Sequence, residues 1–595
     1  MSQSEAHSDR IKSNLSRVDN LTKRLAVAMA RKKQSNPNLS VPDGAVFAKA
    51  AQSYFTDLAT DPSRLFAEQA KFWGESMDAW MDAQRRMFDS VSGKEADNQE
   101  LDKDRRFRNE LWEKSPFFRL VKEQYKINSR MVHRSLSELD GLNEGERRKI
   151  EFFVRQFVDM MSPSNFLLTN PEALERAVST EGKSLVDGLE NFVRDVEAGN
   201  GNHQVSLTDT DAFEVGGNIA TTRGSIVYRN ELIELIQYSP LSAKVKALPL
   251  LIIPPWINKY YILDLKQQNS FVRWTVEQGY TVFVVSWINP DGRHREVGLD
   301  DYATKGAMAA IDEVLRITGA KKLNAVGYCI GGTLLALVLA YMNRKGVKTV
   351  RSATFFATFT DFTDIGELGV FFDKNFLAGI KEEIGKKGFF PSKYMSQAFS
   401  YMRANDLVYG PAVRSYMLGE APPAFDLLYW NGDSTNLSGK MALEYFQRLC
   451  IENQFVKGEF ELCGTPISMK DIKQPLTAVA CESDHLVNWE TSFKGISEAG
   501  SASKNLILAQ SGHIAGIINP PGRKKYGHYR LSGRFSDAES WKSEAEFEKE
   551  SWWPVWAQWL GRRSGKKIDA RWPGGSESPE LCPAPGTYVL AKAAD

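Results

Sequence analysis

An uncharged run from Leu323 to Asn343 constrains the fold of this chain more than any other segment. Its length approaches that of a membrane-spanning helix. However, Gly327, Gly331 and Gly332 interrupt it, and its apolar periodicity changes midway. This pattern predicts a buried strand, a sharp turn and a buried helix, so we expect no transmembrane segment. The short apolar run at 25–30 is likewise too short for the core of a signal peptide.

Further apolar, β-rich runs occur in the C-terminal two thirds of the chain, at 225–228, 232–238, 250–253, 281–287, 323–327, 350–357, 475–481 and 505–509. Helical stretches, for example 300–318 and 333–343, lie between several of them. Alternating strands and helices predict an α/β fold with a mostly parallel sheet covered on both faces. The long interval 358–474 is predicted to be a lid or cap inserted over the carboxyl edge of the sheet, where open α/β folds bind ligands.

The 595 residues are too many for one hydrophobic core, and the pattern divides them into three parts. Residues 1–44 are polar and predicted to be a flexible segment with a basic amphipathic helix. That helix either contacts an apolar surface or a partner, or packs locally. Residues 45–205 are aromatic-rich and predicted to form a helical domain, broken by turn signals such as Asn170-Pro171. Residues 206–595 are predicted to be the catalytic domain.

Charge and cysteine usage exclude several function classes. Lys and Arg number 75 against 74 Asp and Glu, so we expect no nucleic-acid partner. The five cysteines are widely spaced and form no C-x-x-C pair, which argues against a disulfide framework or a zinc site. We therefore expect a reducing, cytoplasmic environment.

The turn in the uncharged run carries a candidate nucleophile. Gly327-Tyr-Cys329-Ile-Gly331 fits the G-x-S-x-G elbow of α/β-hydrolase folds with Cys in place of Ser. The glycines allow the strand and the helix to approach closely, and the helix N-terminus favours a thiolate or a developing oxyanion. A buried cysteine is often only a small apolar side chain, so this motif indicates a nucleophile only if a base and an acid accompany it.

A base and an acid occur where this fold places them. His513 follows the strand at 505–509 and Asp484 follows the strand at 475–481, so the chain order is nucleophile, acid, base. Taken singly, His513 could be a loop residue and Asp484 a helix N-cap. His485 is a less suitable base because it lies on the loop of the acid. We predict a catalytic triad of Cys329, Asp484 and His513.

The oxyanion donors are predicted to be two backbone amides. One is the amide of Ile330, directly after the nucleophile. The other comes from the loop after the strand at 250–253. Pro254 and Pro255 have no N–H, so Trp256 or Ile257 is the donor, and the sequence does not choose between them.

A cysteine nucleophile suits acyl transfer from a thioester. Exchange between thioesters is nearly thermoneutral, so an acyl group on Cys329 stays activated for the next acceptor. If the acceptor is a hydroxyl group and a lid excludes water, an oxoester forms.

Several long motifs extend this interpretation to a known family: Pro254-Pro-Trp-Ile-Asn-Lys-Tyr-Tyr-Ile-Leu-Asp-Leu265, Ser286-Trp-Ile-Asn-Pro290, Gly327-Tyr-Cys-Ile-Gly-Gly332, Phe425-Asp-Leu-Leu-Tyr-Trp-Asn-Gly-Asp-Ser-Thr-Asn-Leu437, Ser511-Gly-His-Ile-Ala-Gly-Ile-Ile-Asn-Pro-Pro521 and Ser551-Trp-Trp-Pro-Val-Trp556. Over residues 55 to 590 the chain resembles the poly(3-hydroxyalkanoate) synthases, most closely the class I enzymes. It departs from their usual pattern at Asn488, where Pro is common, and at Tyr328, where Phe is more frequent.

The resemblance implies a function and partners. Cys329 would hold the growing polyester as a thioester and His513 would be the general base. Asp484 would support His513 or help to deprotonate the 3-hydroxyl group of the incoming unit. The substrate would be an (R)-3-hydroxyacyl-CoA, most simply 3-hydroxybutyryl-CoA, with coenzyme A released and with neither a metal nor a separate cofactor. The family further implies a homodimer on the surface of cytoplasmic polyester granules, beside phasins.

Two other functions remain open at this stage. One is a Cys-dependent thioesterase or polyester hydrolase of the same fold, although hydrolases of this fold usually carry Ser at the elbow. The other is a non-catalytic granule-binding protein that uses the aromatic-rich N-terminal part.

Overall fold

The computed structural model describes residues 3–32, 62–91, 102–137, 141–531, 537–575 and 579–593, and single residues at 36, 39, 49 and 52. The predicted boundary between residues 44 and 45 lies outside them. The chain forms two compact units. The helical unit comprises residues 1–209 and 397–423, and the sheet unit comprises residues 210–396 and 424–595.

The helical unit is built from the helices α1 (Gln3–Met29), α2 (Pro62–Val91), α3 (Leu111–Lys114), α4 (Pro116–Ser137), α5 (Glu144–Met160), α6 (Pro171–Ser179) and α7 (Lys183–Ala198). Local sequence sets several of these boundaries. Asn143 and Glu146 form a capping box at the start of α5. The Asn170 side chain caps α6, and Pro171 occupies its first position, where the missing N–H costs nothing.

The predicted N-terminal amphipathic helix is α1, and it packs locally. Leu21 lies in a small apolar cluster with Val186 and Val193 of α7. Beside this cluster, Arg17 forms ion pairs with Asp187 and Glu190 at 2.9 and 2.6 Å. Of the two alternatives that the sequence left open, the structure therefore shows local packing.

The middle of the predicted lid belongs to the helical unit. Residues 397–423 contain the helix Gly410–Ala412 between two π-helical turns, Asn405–Tyr409 and Val413–Met417. The Tyr416 hydroxyl donates to the buried Asp195 carboxylate at 2.6 Å. The Asn191 side chain donates to the carbonyls of Ser415 and Glu420. These bonds join the inserted segment to α7.

Among the described residues the main sheet of the sheet unit has eleven strands: β1 (Gly224–Arg229), β2 (Ile233–Tyr238), β3 (Leu250–Ile253), β4 (Val282–Trp287), β5 (Leu323–Tyr328), β6 (Val350–Phe356), β7 (Leu476–Cys481), β8 (Lys504–Ala509), β9 (His528–Arg530), β10 (Glu546–Glu548) and β11 (Cys582–Pro583). They lie in the order β10-β9-β8-β7-β6-β5-β3-β4-β2-β1-β11. The six strands from β8 to β4 are parallel, and the outer strands are antiparallel.

The central strands are the part of the sheet that the sequence predicts best, because they are buried. Every residue of β3, β4, β5 and β7 is buried, as expected for parallel strands covered on both faces. The predicted fold class, an α/β-hydrolase fold after a helical N-terminal region, is confirmed by this topology. The outer strands β9, β10 and β11 were not predicted, because they are short and only partly apolar.

The remaining helices are α8 (Phe271–Glu277), α9 (Ala309–Thr318), α10 (Ile330–Arg344), α11 (Lys374–Lys387), α12 (Ser392–Met402), α13 (Asp426–Gly432), α14 (Gly439–Glu444), α15 (Gln454–Lys457), α16 (Trp489–Glu498), α17 (Ala538–Glu544) and α18 (Trp553–Gly561). The unit boundary after Ser396 falls within α12. A one-turn helix, Leu299–Asp301, and the π-helical stretch Tyr302–Met308 lead directly into α9, and another π-helical stretch, Tyr445–Ile451, follows α14. In the part of the chain that the structure describes, three two-stranded pairings lie outside the main sheet: Lys244–Lys246 with Lys567–Asp569, Phe389–Phe390 with Leu437–Ser438, and Phe460–Leu462 with Thr465–Ile467.

The uncharged run forms β5 and α10, as predicted. Helix α10 is buried along most of its length, with exposed residues only toward its C-terminal end. Its apolar character therefore reflects burial in the sheet unit. No helix in the described parts of the chain is both long and apolar enough to span a bilayer.

Candidate active site

Cys329 lies at the tip of the turn between β5 and α10. Its backbone has φ 53° and ψ −126°, a region that residues with a Cβ rarely adopt. The Cys329 N–H donates to the Phe356 carbonyl at 2.8 Å, and the Cys329 carbonyl accepts from the N–H groups of Gly332 and Thr333. These bonds hold the strained turn, with the thiol only partly buried.

The glycines around Cys329 are required by close backbone approach. A Cβ on Gly327 would lie 2.4 Å from the Cα of Gly332. A Cβ on Gly331 would lie 2.3 Å from the Ile253 carbonyl oxygen and 2.5 Å from that of Pro254. The first turn of α10 therefore packs directly against the loop that follows β3.

Asp484 and His513 meet at the carboxyl edge of the same sheet. His513 Nδ1 lies 2.7 Å from Asp484 Oδ2. The other oxygen, Oδ1, accepts the backbone N–H groups of Leu486 and Val487, each at 2.9 Å. The Asp484 side chain is fully buried and that of His513 is 8% exposed. The carboxylate is thus held at both oxygens and orients the ring.

The protonation of His513 depends on its two neighbours. Burial alone would lower the pKa of the ring, but the Asp484 carboxylate and the Cys329 sulfur outweigh burial and hold this pKa well above its ordinary value. The effect of the Cys329 sulfur on this pKa indicates that the thiol lies near the ring. Because Nδ1 faces Asp484, Nε2 is the nitrogen available to the thiol.

Aromatic side chains fix the loop that carries His513. The Tyr328 ring stacks on the imidazole with 5.6 Å between centroids, and its hydroxyl donates to the His513 carbonyl at 3.2 Å. The indole N–H groups of Trp552 and Trp553 donate to the carbonyls of Gly516 and Ile517 at 2.8 and 2.9 Å. Tyr328 is one of the two departures from the family pattern, and its hydroxyl has a defined partner.

The predicted oxyanion donors flank the elbow. Ile330 begins α10, and the loop with Trp256 and Ile257 lies on the side where Gly331 meets the main chain. Across the described residues, no acceptor is paired with the backbone N–H of Ile330, of Trp256 or of Ile257. The choice between Trp256 and Ile257 stays a prediction.

One neighbour of the thiol was not singled out from the sequence. Burial raises the pKa of the Tyr445 phenol well above its ordinary value, and the nearby Cys450 and Cys329 thiols add to this rise. Tyr445 lies on the π-helical turn Tyr445–Ile451 of the inserted segment. Nothing in its local sequence signals this position, because only the folding of the insertion brings the phenol near Cys329.

The comparisons with known proteins agree with this geometry. Residues 255–520 match the family model of the alpha/beta hydrolase fold, and residues 103–275 match that of the poly-beta-hydroxybutyrate polymerase (PhaC) N-terminus. A poly(3-hydroxyalkanoate) polymerase of Methylorubrum extorquens is 40% identical over 539 residues, which cover 90% of this chain and 88% of the relative. The chain belongs to the poly(3-hydroxyalkanoate) polymerase family.

Two further members of this family show a similar level of identity. A polymerase subunit PhaC of Rhizobium etli is 38% identical over 90% of this chain and 84% of its own length. A polymerase subunit PhaC of Cupriavidus necator is 39% identical over 82% of this chain and 83% of its own length. The resemblance drawn from the motifs is confirmed. Family membership also disfavours the hydrolase and scaffold alternatives.

Proposed function

We propose that this enzyme polymerises (R)-3-hydroxyacyl groups from coenzyme A thioesters into polyhydroxyalkanoate through an acyl-enzyme on Cys329. The observation that carries the proposal is the bond of 2.7 Å between His513 Nδ1 and Asp484 Oδ2, with the partly exposed Cys329 thiol among the groups that raise the pKa of the His513 ring. A thiol, a base and a carboxylate in this order form a nucleophilic triad.

Acylation follows from the positions of these groups. The Cys329 sulfur attacks the thioester carbonyl while Nε2 of His513 takes the thiol proton. The developing oxyanion accepts hydrogen bonds from the Ile330 N–H and from that of Trp256 or Ile257. When the tetrahedral intermediate collapses, the bond to the coenzyme A sulfur breaks, and His513 returns the proton to the leaving thiolate.

Chain growth uses the same base. The 3-hydroxyl group of an incoming hydroxyacyl-CoA attacks the thioester on Cys329, and His513 accepts the hydroxyl proton. An oxoester forms, and the Cys329 sulfur leaves and recovers a proton. The elongated acyl-CoA then acylates Cys329 again and releases coenzyme A. Asp484 keeps His513 oriented through both steps.

The remaining features of the proposal come from the family resemblance. They are the absence of a separate cofactor or metal, a class I preference for short acyl groups of three to five carbons, a homodimeric state and location on cytoplasmic granules beside phasins. In the described residues, no three His, Cys, Asp or Glu side chains cluster so as to hold a metal ion.

The products formed from 3-hydroxybutyryl-CoA test the proposal. The native enzyme is expected to release coenzyme A together with sedimentable polyester. Free 3-hydroxybutyrate as the sole acyl product would contradict it and would favour a hydrolase. Cys329→Ala is expected to abolish coenzyme A release. Cys582→Ala, at another partly exposed cysteine, is the matched control and should retain native activity.

A further inference from the structure

Asp433, a buried carboxylate outside the triad, is bonded to two ammonium groups and a phenol. Asp433 Oδ1 lies 2.8 Å from Lys259 Nζ and 3.1 Å from Lys592 Nζ, and the Tyr261 hydroxyl donates to Oδ2 at 2.8 Å. The Lys259 and Asp433 side chains are 3% and 4% exposed, whereas that of Lys592 is 68% exposed. Lys259 and Asp433 are therefore paired away from water.

These partners come from three separate parts of the sheet unit. Lys259 ends the loop after β3, and Tyr261 follows in the 3₁₀ helix Tyr260–Asp264. Asp433 directly follows α13 in the inserted segment, and Lys592 lies near the end of the chain. The Asp433 carboxylate thus ties the insertion and the C-terminal segment to the loop after β3.

The same loop is bonded to the insertion through its main chain. The Trp430 indole N–H donates to the Lys259 carbonyl at 2.7 Å. The Thr435 N–H donates to the Ile257 carbonyl at 3.2 Å, and the Thr435 hydroxyl donates to the Trp256 carbonyl. The Trp256 C=O and the Ile257 N–H belong to the same trans peptide and point in opposite directions. Because the Trp256 carbonyl accepts from the Thr435 hydroxyl, the Ile257 N–H is directed away from Thr435. The carbonyls of Trp256, Ile257 and Lys259 thus face the inserted segment, whereas the Ile257 N–H does not bond to it.

A buried ion pair is a poor source of stability, because desolvation of both charges offsets most of their attraction. Its geometric effect is stronger, because a charge buried without its partner is costly and the two groups are therefore held together. Here that constraint acts on the loop in which the second oxyanion donor is proposed.

We propose that Asp433, through Lys259, is a positioning residue that fixes the loop 254–259 so that its amide can stabilise the oxyanion formed at Cys329. This inference rests on the proposed function. In this role Asp433 and Lys259 act only through the loop. Loss of the pair should therefore weaken an interaction made in the transition state, with little effect on substrate binding.

The test compares three variants in the full-length enzyme with 3-hydroxybutyryl-CoA. Lys259→Met removes the ammonium group, while Asp433 keeps Lys592 and Tyr261 as partners, so this variant is expected to fold. Asp433→Asn removes the carboxylate charge. Lys266→Met is the matched control, because Lys266 pairs with Asp426 at 3.1 Å between the same two regions of the chain but outside the loop 254–259. Each variant is assayed for kcat, KM and melting temperature, and for the rate of Cys329 alkylation by iodoacetamide, followed by peptide mass spectrometry.

We expect Lys259→Met to lower kcat by about 10- to 100-fold with KM within about twofold of native, as for partial loss of an oxyanion donor. Asp433→Asn, where it folds, should do the same. Alkylation should stay near the native rate because it forms no oxyanion, and Lys266→Met should match the native enzyme throughout. A native kcat in Lys259→Met would overturn the inference, as would equal slowing of turnover and alkylation.

Failure of this inference is distinguishable from failure of the proposed function. If Cys329→Ala is inactive while Lys259→Met turns over like the native enzyme, only the role of Asp433 is wrong. If Cys329→Ala releases coenzyme A at the native rate, the acyl-enzyme proposal and the inference both fall.

Discussion

Nδ1 of His513 lies 2.7 Å from Oδ2 of Asp484, and the two residues come from loops after different strands. The second carboxylate oxygen accepts two backbone N–H groups from Leu486 and Val487. The carboxylate therefore cannot rotate without losing three hydrogen bonds. Its fixed position leaves Nε2 of His513 for the thiol, and the proposed chemistry depends on this orientation.

Replacement of Asp484 by Asn tests the role of this carboxylate. The amide fills the same space but cannot hold the tautomer with a proton on Nδ1 in the same way. We expect kcat to fall by about 10²- to 10⁴-fold, as is typical when the orienting acid of a triad is lost. Steady-state release of coenzyme A measures this change.

The adjacent histidine provides the control for Asp484→Asn. His485→Gln alters the same loop without touching the bond between Asp484 and His513. It is expected to keep kcat within about threefold of native, because the base and its orienting carboxylate are unchanged. A larger loss of kcat in His485→Gln than in His513→Gln would show that His513 is not the base.

The pH dependence of kcat/KM reports the protonation of His513. The neutral ring accepts the thiol proton, so activity is lost as the pH falls through the pKa of the ring. Burial lowers this pKa, but Asp484 and the Cys329 sulfur raise it well above its ordinary value. The acid limb of the native enzyme should therefore have an apparent pKa above about 6.5.

Asp484→Asn removes one of the groups that raise the pKa of His513. The acid limb of the residual activity should then move to lower pH. An acid limb at the same pH in both enzymes would show that another group controls the profile.

Substitution of Gly331 tests the close approach behind the nucleophile. In Gly331→Ala the new Cβ would meet the Ile253 carbonyl oxygen at 2.3 Å, so α10 must move away from the loop after β3. We expect destabilisation by about 1–3 kcal/mol, seen as a lower melting temperature, and loss of most activity.

Gly385→Ala is the matched control because its Cβ would meet nothing within 4 Å in helix α11. This variant should be neutral or more stable by up to about 1 kcal/mol, since alanine favours the helix. If both substitutions had the same effect, crowding at the elbow would not be the cause.

The tryptophan-rich helix α18 is expected to stabilise the fold by packing in the core. Trp556 is fully buried, and its indole N–H donates to Thr354 at 3.0 Å. Trp556→Ala should destabilise the protein by about 3–5 kcal/mol through a core cavity. At a temperature where the variant remains folded, KM for 3-hydroxybutyryl-CoA should stay native. A native melting temperature combined with a raised KM would instead indicate contact with substrate or polymer.

Much of the sheet unit could be predicted because parallel buried strands are continuous apolar runs. The strand Leu250–Ile253 has the predicted bounds, and the predicted runs around β5 and β7 differ from the observed strands by one residue. Cys329, Asp484 and His513 each follow such a strand, so their meeting at one edge of the sheet follows from topology.

Long-range pairings could not be predicted in the same way. Tyr416 bonds to Asp195 across 221 residues, and nothing in the local sequence around either marks the segment 397–423 as part of the helical unit. Asp433 and Lys592 are 159 residues apart and look like ordinary charged residues in the sequence. Such contacts depend on the folded arrangement of the insertion and the C-terminal segment, which no periodicity encodes.

Direct detection of the acyl-enzyme tests the central claim of a covalent intermediate on Cys329. The enzyme is quenched with acid during turnover of radiolabelled 3-hydroxybutyryl-CoA, digested and analysed by mass spectrometry. We predict that the label lies on the peptide containing Cys329, bound as a thioester that neutral hydroxylamine cleaves. Label on another residue, or an unmodified Cys329 peptide while coenzyme A is being released, would contradict the account.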